Sequence, residues 1–352
     1  MSAPAFVAQD HLSGRVRRVG AYTIRYRARA VGVAVVGCVA AIVLAALELA
    51  YGTFQLTFGE VWEVLAGGGS ATARKVVLEI RLPRVVAGLF DGACSGVSGA
   101  VFQSVARNAL GSPDVIGFTS GAATGAIVQM LVFDRGPMAT SLAAIAGGTG
   151  TALIVYLLSL RGGVAGGYRL VLVGIGVGSV LSSLNGLFLT RSAPDDAIAA
   201  HAWLVGTLNA RTWEQVVPVV IVFFITLPAI AAARPSLDLV EMGDDTARQL
   251  GVAVERSRKV ALIGGVALIA IATAATGPIA FVALAAPQIA RRLIGAPTIP
   301  IAGAAVIGAA VLLGADYLSQ RLPFGLYVPV GLTTGLLGGI YLIALLLRPN
   351  TR

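Results

Sequence analysis

The segment LDLVEMGDDTARQLGVAVERSRK, residues 237–259, is the longest charged stretch lying between two long apolar runs, and the rest of the chain is arranged around it. It holds the acids Asp238, Glu241, Asp244, Asp245 and Glu255 and the bases Arg248, Arg256, Arg258 and Lys259, with Arg234 just upstream. Charge at that density does not stay in hydrocarbon, so the segment stands in water between two spans. A short amphipathic helix is predicted within it. Asp244 or Asp245 caps its N-terminus, Ala247 and Leu250 share an apolar face, and Gly251 follows its last turn. A helix held in this way between two spans is placed to press on a partner.

Outward from this segment the chain reads as membrane. Apolar residues make up 57% of the sequence and charged residues 12%, with a mean hydropathy of +0.85. These values are far from those of soluble domains. The 44 glycines suit close helix packing in lipid. The net charge of +9 does not point to nucleic acid, because the bases follow the ends of the apolar runs. Cys38 and Cys94 both fall inside apolar runs, where two buried, inert thiols are expected and neither a disulfide framework nor a cysteine metal site can be argued. His201 has no second histidine near it in sequence, which disfavours a metal site there.

Runs of about 20 residues, the length that crosses a bilayer, fall near 30–50, 83–106, 116–133, 138–160, 169–190, 213–233, 259–276, 279–295, 299–319 and 328–347. The expected fold is therefore an all-α polytopic membrane protein of ten transmembrane helices, with both ends on one side. Residues 1–29 form a basic tail bearing six arginines, and residues 30–352 a single transmembrane domain. Placing the tail inside puts 18 of the Lys and Arg residues on the inner side. The outer side keeps 8: Arg74, Lys75, Arg81, Arg84, Arg135, Arg191, Arg211 and Arg321. That asymmetry satisfies the positive-inside rule and puts 237–259 in the cytoplasm of a cell whose inner membrane holds the chain. A broken or short helix is expected around Gly277, Pro278 and Pro287, and a short helix at the outer interface within 191–212. Glycines recur every four residues at Gly88, Gly92 and Gly96, at Gly117, Gly121 and Gly125, at Gly174 and Gly178, and at Gly331, Gly335 and Gly339. Close helix packing is the plain reading, and a dimer seam or a substrate path the other.

Three blocks carry a family resemblance: RLPRVVAG at 81–88, FQSVARNALGSPDVIGFTSGAATGA at 102–126, and MGDDTARQLGVAVERSR at 242–258 followed by TGPIAFVALAAPQIARRL at 276–293. They resemble the iron-siderophore and cobalamin uptake permeases, the membrane subunits of type II ATP-binding-cassette importers. Within that family the wording is most similar to the ferric-enterobactin permease subunits. The resemblance implies that a catecholate-type ferric siderophore is the cargo, with cobalamin or haem as alternatives. It also implies two cassette ATPase subunits beneath two permease subunits, a heterodimer being preferred to a homodimer, and an external binding protein that delivers the cargo. No Gly-rich phosphate loop ending in Lys-Ser or Lys-Thr occurs in the chain. ATP and magnesium would therefore belong to the partner subunits, and no cofactor, metal or enzymatic activity is expected here. An ion-coupled secondary transporter, with Asp91 and Asp316 as ion sites, is the rival from another class.

The resemblance assigns roles residue by residue. Asp244, Asp245, Thr246, Ala247, Arg248, Gln249, Leu250 and Gly251 match the helix that enters a groove on the ATPase. Arg81 and Arg84 match cations that pair with acids on the binding protein, although anchoring of a helix end at the bilayer surface would equally place arginines there. The third such cation of the family falls on Gln320, a departure that leaves Arg321 beside it as the candidate. Asn108 and Leu110 match one side of the cytoplasmic gate, with Gly166, Gly167 and Tyr168 opposite. An ordinary capped turn also accounts for NALGSPD. Asp91, about 10 Å into its span, and Gln103 are candidate pathway residues, pairing within the protein being the alternative for Asp91.

Overall fold

The computed structural model describes residues 15–19, 22–26, 28–52, 54–161, 164, 165, 167–296, 298–321 and 328–347. Short hairpins precede two of the helices. Strands β1 (Arg15–Val19) and β2 (Tyr22–Tyr26) pair antiparallel within the stretch expected to be a simple tail, and β3 (Leu160–Arg161) pairs with β4 (Val164–Ala165). Everything else of regular structure is helical. The chain runs through α1 (Ala28–Ala50), α2 (Phe58–Leu65), α3 (Ala71–Arg74), a π-helical turn over Lys75–Arg81, and α4 (Leu82–Ala106). Next come α5 (Phe118–Val128) with a π-helical extension over Gln129–Phe133, α6 (Pro137–Ser159), α7 (Gly167–Arg191) and α8 (Pro194–Leu204). The rest are α9 (Trp213–Glu241), α10 (Asp244–Gln249), α11 (Val254–Thr276), α12 (Val282–Ile294), α13 (Ile301–Ser319) and α14 (Val330–Leu346).

Seven of the described helices are long and apolar enough to cross a membrane. The other three expected runs are helical but shorter: Phe118–Phe133, α12 with 13 residues, and α14 with 17. At 1.5 Å per residue α12 rises only about 20 Å, well short of a hydrocarbon core of about 30 Å. The break before it therefore lies at depth, and its backbone needs partners inside the protein. The loop after α8 supplies them. Thr207 N–H donates to Thr276 O at 2.8 Å, Gly206 backs onto Pro278, and Gly331 N–H donates to Gly206 O. Residues 205–209 thus fold into the bundle, where Leu208 is buried, while α8 alone matches the interfacial helix expected in 191–212.

Helix α4 is the centre of the molecule and packs against α13, α11, α12 and α9, while α5 packs against α6 and α7. Glycine makes the closest of these approaches possible. A Cβ at Gly92 would overlap Gly308 O of α13, one at Gly96 would overlap Ala304 O, and one at Gly99 would overlap Ala283 O of α12. Gly121 and Gly125 meet α6 in the same manner. Close packing is the outcome for these positions, whereas Gly335 and Gly339 on α14 face open space. One thiol differs from expectation: Cys94 is buried in the α4 core, but Cys38 is exposed on the outer face of α1.

Candidate functional site

At one end of the bundle α10 stands between α9 and α11. Gly243, with φ of 120°, makes the turn that α9 needs before α10 can start, and Gly251, with φ of 82°, ends it. Neither Asp244 nor Asp245 is the N-cap; both lie in the first turn, where a negative charge meets the positive end of the helix. Ala247 is fully buried against Val240 and Val254. Leu250, expected on the same inward face, is instead 60% exposed, and so is Met242 at 67%. The reason is that α10 is a single turn and a half, so Leu250 already belongs to the chain leaving it.

Beneath this knob lies a buried ionic anchor. Arg258 of α11, whose side chain is 1% exposed, donates through Nη2 to both carboxylate oxygens of Asp244 at 3.0 and 3.1 Å and through Nη1 to Glu255 at 2.6 Å. Arg107, at the end of α4, reaches the same Asp244 at 3.6 Å. Asp245 pairs with Arg248 at the surface at 2.9 Å. Asn108 and Leu110 sit immediately beyond Arg107, both exposed. Asn108 Oδ1 accepts from Leu110 N–H at 2.9 Å, which is the capped turn. Of the residues expected opposite them, Tyr168 is exposed in the first turn of α7, which Gly167 opens, and Gly166 lies outside the described residues. Among the described residues no hydrogen bond joins Tyr168 to Asn108 or Leu110.

Gln103 is buried and not on an open path. It donates to Leu284 O at 3.0 Å and accepts from Gln288 at 2.8 Å, while Gln288 also donates to Ala109 O at 3.0 Å. Asp91 is likewise closed off, at 1% exposure, with Thr276 and Arg211 as its polar neighbours. Neither side chain meets a solvent-accessible surface, because α11, α12 and α13 wall this side of α4.

At the opposite end the three arginines expected to meet the binding protein have unlike surroundings. Arg81 is 9% exposed, and its guanidinium donates to Leu49 O at 2.6 Å, Ala50 O at 3.0 Å and Phe54 O. It ties the end of α1 to the helix start and does not present charge outward. Arg84 forms a two-pronged pair with fully buried Asp316, both bonds 2.8 Å, and Gln320 adds a third bond to Asp316 at 3.1 Å. Arg321 is the exposed one of the three, resting on the rings of Tyr317 at 3.7 Å and Tyr51 at 5.2 Å. Arg74 and Lys75 are also exposed at this end.

A largely apolar cavity of about 570 Å³ with several polar groups in its wall is a feature that reading the sequence missed. It is lined by Ser112, Asp114, Thr119, Ser120, Ser182, Asn185 and His201 among apolar neighbours. Ser120 and Ser182 lie 3.2 Å apart, Asn185 donates to Ser120 O at 3.3 Å, and Thr119 donates to Asp114. Phe281, with a left-handed φ of 69° uncommon for an aromatic residue, turns its ring between this cavity and Gly338 of α14. The only sequence signal was the run of hydroxyl and amide side chains in α5 and α7, each unremarkable alone.

The FecCD transport family matches residues 39–348. The ferric enterobactin transport system permease protein FepG of Escherichia coli K12 is 44% identical over 301 residues, covering 86% of this chain and 91% of FepG. The iron(3+)-hydroxamate import system permease protein FhuG of Bacillus subtilis is 32% identical, covering 86% and 93%. Among solved structures, a metal-chelate type ABC transporter in an inward-facing conformation superposes with a TM-score of 0.77 at 24% identity, covering 90% of this chain and 98% of that one. With the break at Gly277, the α10 knob and the three sequence blocks all inside the matched region, the chain belongs to the FecCD transport family.

Proposed function

We propose that this chain is one of two membrane subunits of an importer that carries a ferric siderophore of the catecholate type into the cytoplasm. As a transport permease it does no covalent chemistry. Two cassette ATPases, using ATP and magnesium, dock on the α10 end, and an external binding protein delivers the cargo to the opposite end. The α10 end then faces the cytoplasm of a bacterial inner membrane, with both termini on that side. The second membrane subunit is a sister permease and not an identical copy.

The observation that carries this reading is the build of the α10 knob. Asp245 projects from α10, and Met242 and Leu250 project from the chain on either side of it, while Ala247 and Asp244 of the helix are anchored within the protein. An exposed apolar pair on a rigid base suits insertion into a partner's groove. The ion-coupled alternative loses its sites, since Asp316 is saturated by Arg84 and Gln320, and Asp91 is sealed among helices. The 44% identity to a ferric enterobactin permease supports the cargo class over cobalamin or haem.

The test is reconstitution in proteoliposomes with sister permease, ATPase and binding protein, with ferric enterobactin as the probe. Uptake should require ATP, and Leu250→Asp should abolish it by ejecting the ATPase while leaving the permease pair intact. Uptake driven by an ion gradient without nucleotide would overturn the assignment.

A further inference from the structure

Resting on the reading of α10 as the point where ATPase motion enters, we propose that Arg107 is the positioning residue that passes this motion to the turn at Asn108–Leu110. Three structural observations converge on it.

The first is backbone conformation. Arg107 ends α4 with φ 49° and ψ 36°, the left-handed region that helix C-termini usually give to glycine. A glycine would make this turn without strain, so the turn does not itself call for arginine. What the side chain adds is a cation.

The second is where that cation goes. Its Nη1 lies 3.6 Å from Asp244, the first residue of α10. Asp244 is held from the other side by Arg258, so any displacement of α10 moves this carboxylate as part of a rigid unit. The Arg107 side chain is 38% exposed and its contact is looser than a direct hydrogen bond, which leaves room for it to tighten or let go.

The third is the counter-hold. The turn just beyond Arg107 is fastened on its far side by Gln288 of α12, which donates to Ala109 O at 3.0 Å. The turn thus sits between two grips, a charged one to α10 and a neutral one to α12. Motion of α10 through Asp244 works against the Gln288 bond, and the balance of the two sets the position of Leu110.

Arg107→Gly and Arg107→Lys separate charge from turn shape in the reconstituted four-component importer. Glycine keeps the left-handed turn and deletes the cation; lysine keeps the cation. Ferric enterobactin uptake and ATP hydrolysis are measured together. Arg107→Gly should hydrolyse ATP within twofold of wild type yet lose uptake at least tenfold, and Arg107→Lys should regain most of it. Wild-type uptake by Arg107→Gly would overturn the proposal, and so would joint loss of hydrolysis and uptake, which would make Arg107 an assembly residue. Failure of the underlying reading shows separately, as unimpaired ATP-driven uptake by Leu250→Asp.

Discussion

Arg84 shows how far a residue's role depends on what it touches. From sequence it is a cation at a helix start near the outer surface, and docking or anchoring both fit. In the structure it closes on Asp316, which is fully buried, with two bonds of 2.8 Å. Glu48, also buried, lies in the same charge cluster with Arg321. An exposed docking pair is worth about 0–1 kcal/mol, whereas removing one partner of a buried pair costs about 3–5 kcal/mol because the other charge is stranded. Arg84→Ala should therefore lower the stability of the purified permease by several kcal/mol, read as a clear fall in Tm. Arg84→Met combined with Asp316→Leu should recover much of that loss. A single variant with wild-type Tm would return Arg84 to the surface role. The bases themselves were legible in the sequence, but their partners were not, since Arg84 and Asp316 are 232 residues apart and nothing local marks them as a pair.

At the scale of elements, apolar runs and glycine spacing were readable because they are local properties. Every expected run became a helix, and the break at Gly277 fell where Gly-Pro predicted it. Reading failed where an element's length is set by its neighbours. Helix α12 can be short only because residues 205–209 cover its start, and the polarity of that loop had suggested the surface. Glycine spacing likewise could not say which faces meet. Gly99 of α4 lies against the Ala283 carbonyl, a backbone atom that cannot rotate away, whereas Gly335 of α14 faces open space. Gly99→Ala should therefore force α4 and α12 apart at a cost of about 1–3 kcal/mol, lowering Tm and the yield of folded protein. Gly335→Ala should leave the isolated chain unchanged or slightly more stable, since alanine is the better helix former, and equal damage from the two would mean that the close approach of α4 and α12 is not what sets the cost at Gly99.

At the scale of the whole molecule, the outward faces are not alike. Helix α1 exposes Val35, Val36, Val39 and Ile42, a surface that lipid covers without cost. Helix α7 exposes Ser179, Ser182 and Ser183 midway along its length, and beside them opens the cavity whose wall includes Asp114, Ser120 and His201. Ser179 and Ser183 satisfy their hydroxyls on their own helix, at 2.9 Å each. Ser182 bridges instead to Ser120, and polar groups that line a cavity at depth favour water over hydrocarbon. In the two-permease assembly proposed above, this side is the one expected to line a water-filled path. The exposed Cys38 on α1 provides an internal standard for lipid-facing thiols, and the buried Cys94 one for the core. In the assembled importer, Ser182→Cys should react with a membrane-impermeant charged thiol reagent at least tenfold faster than either native cysteine, and ferric enterobactin should slow that reaction. Labelling at the Cys38 rate would place lipid against α7, and the path would have to be sought along another face of the bundle.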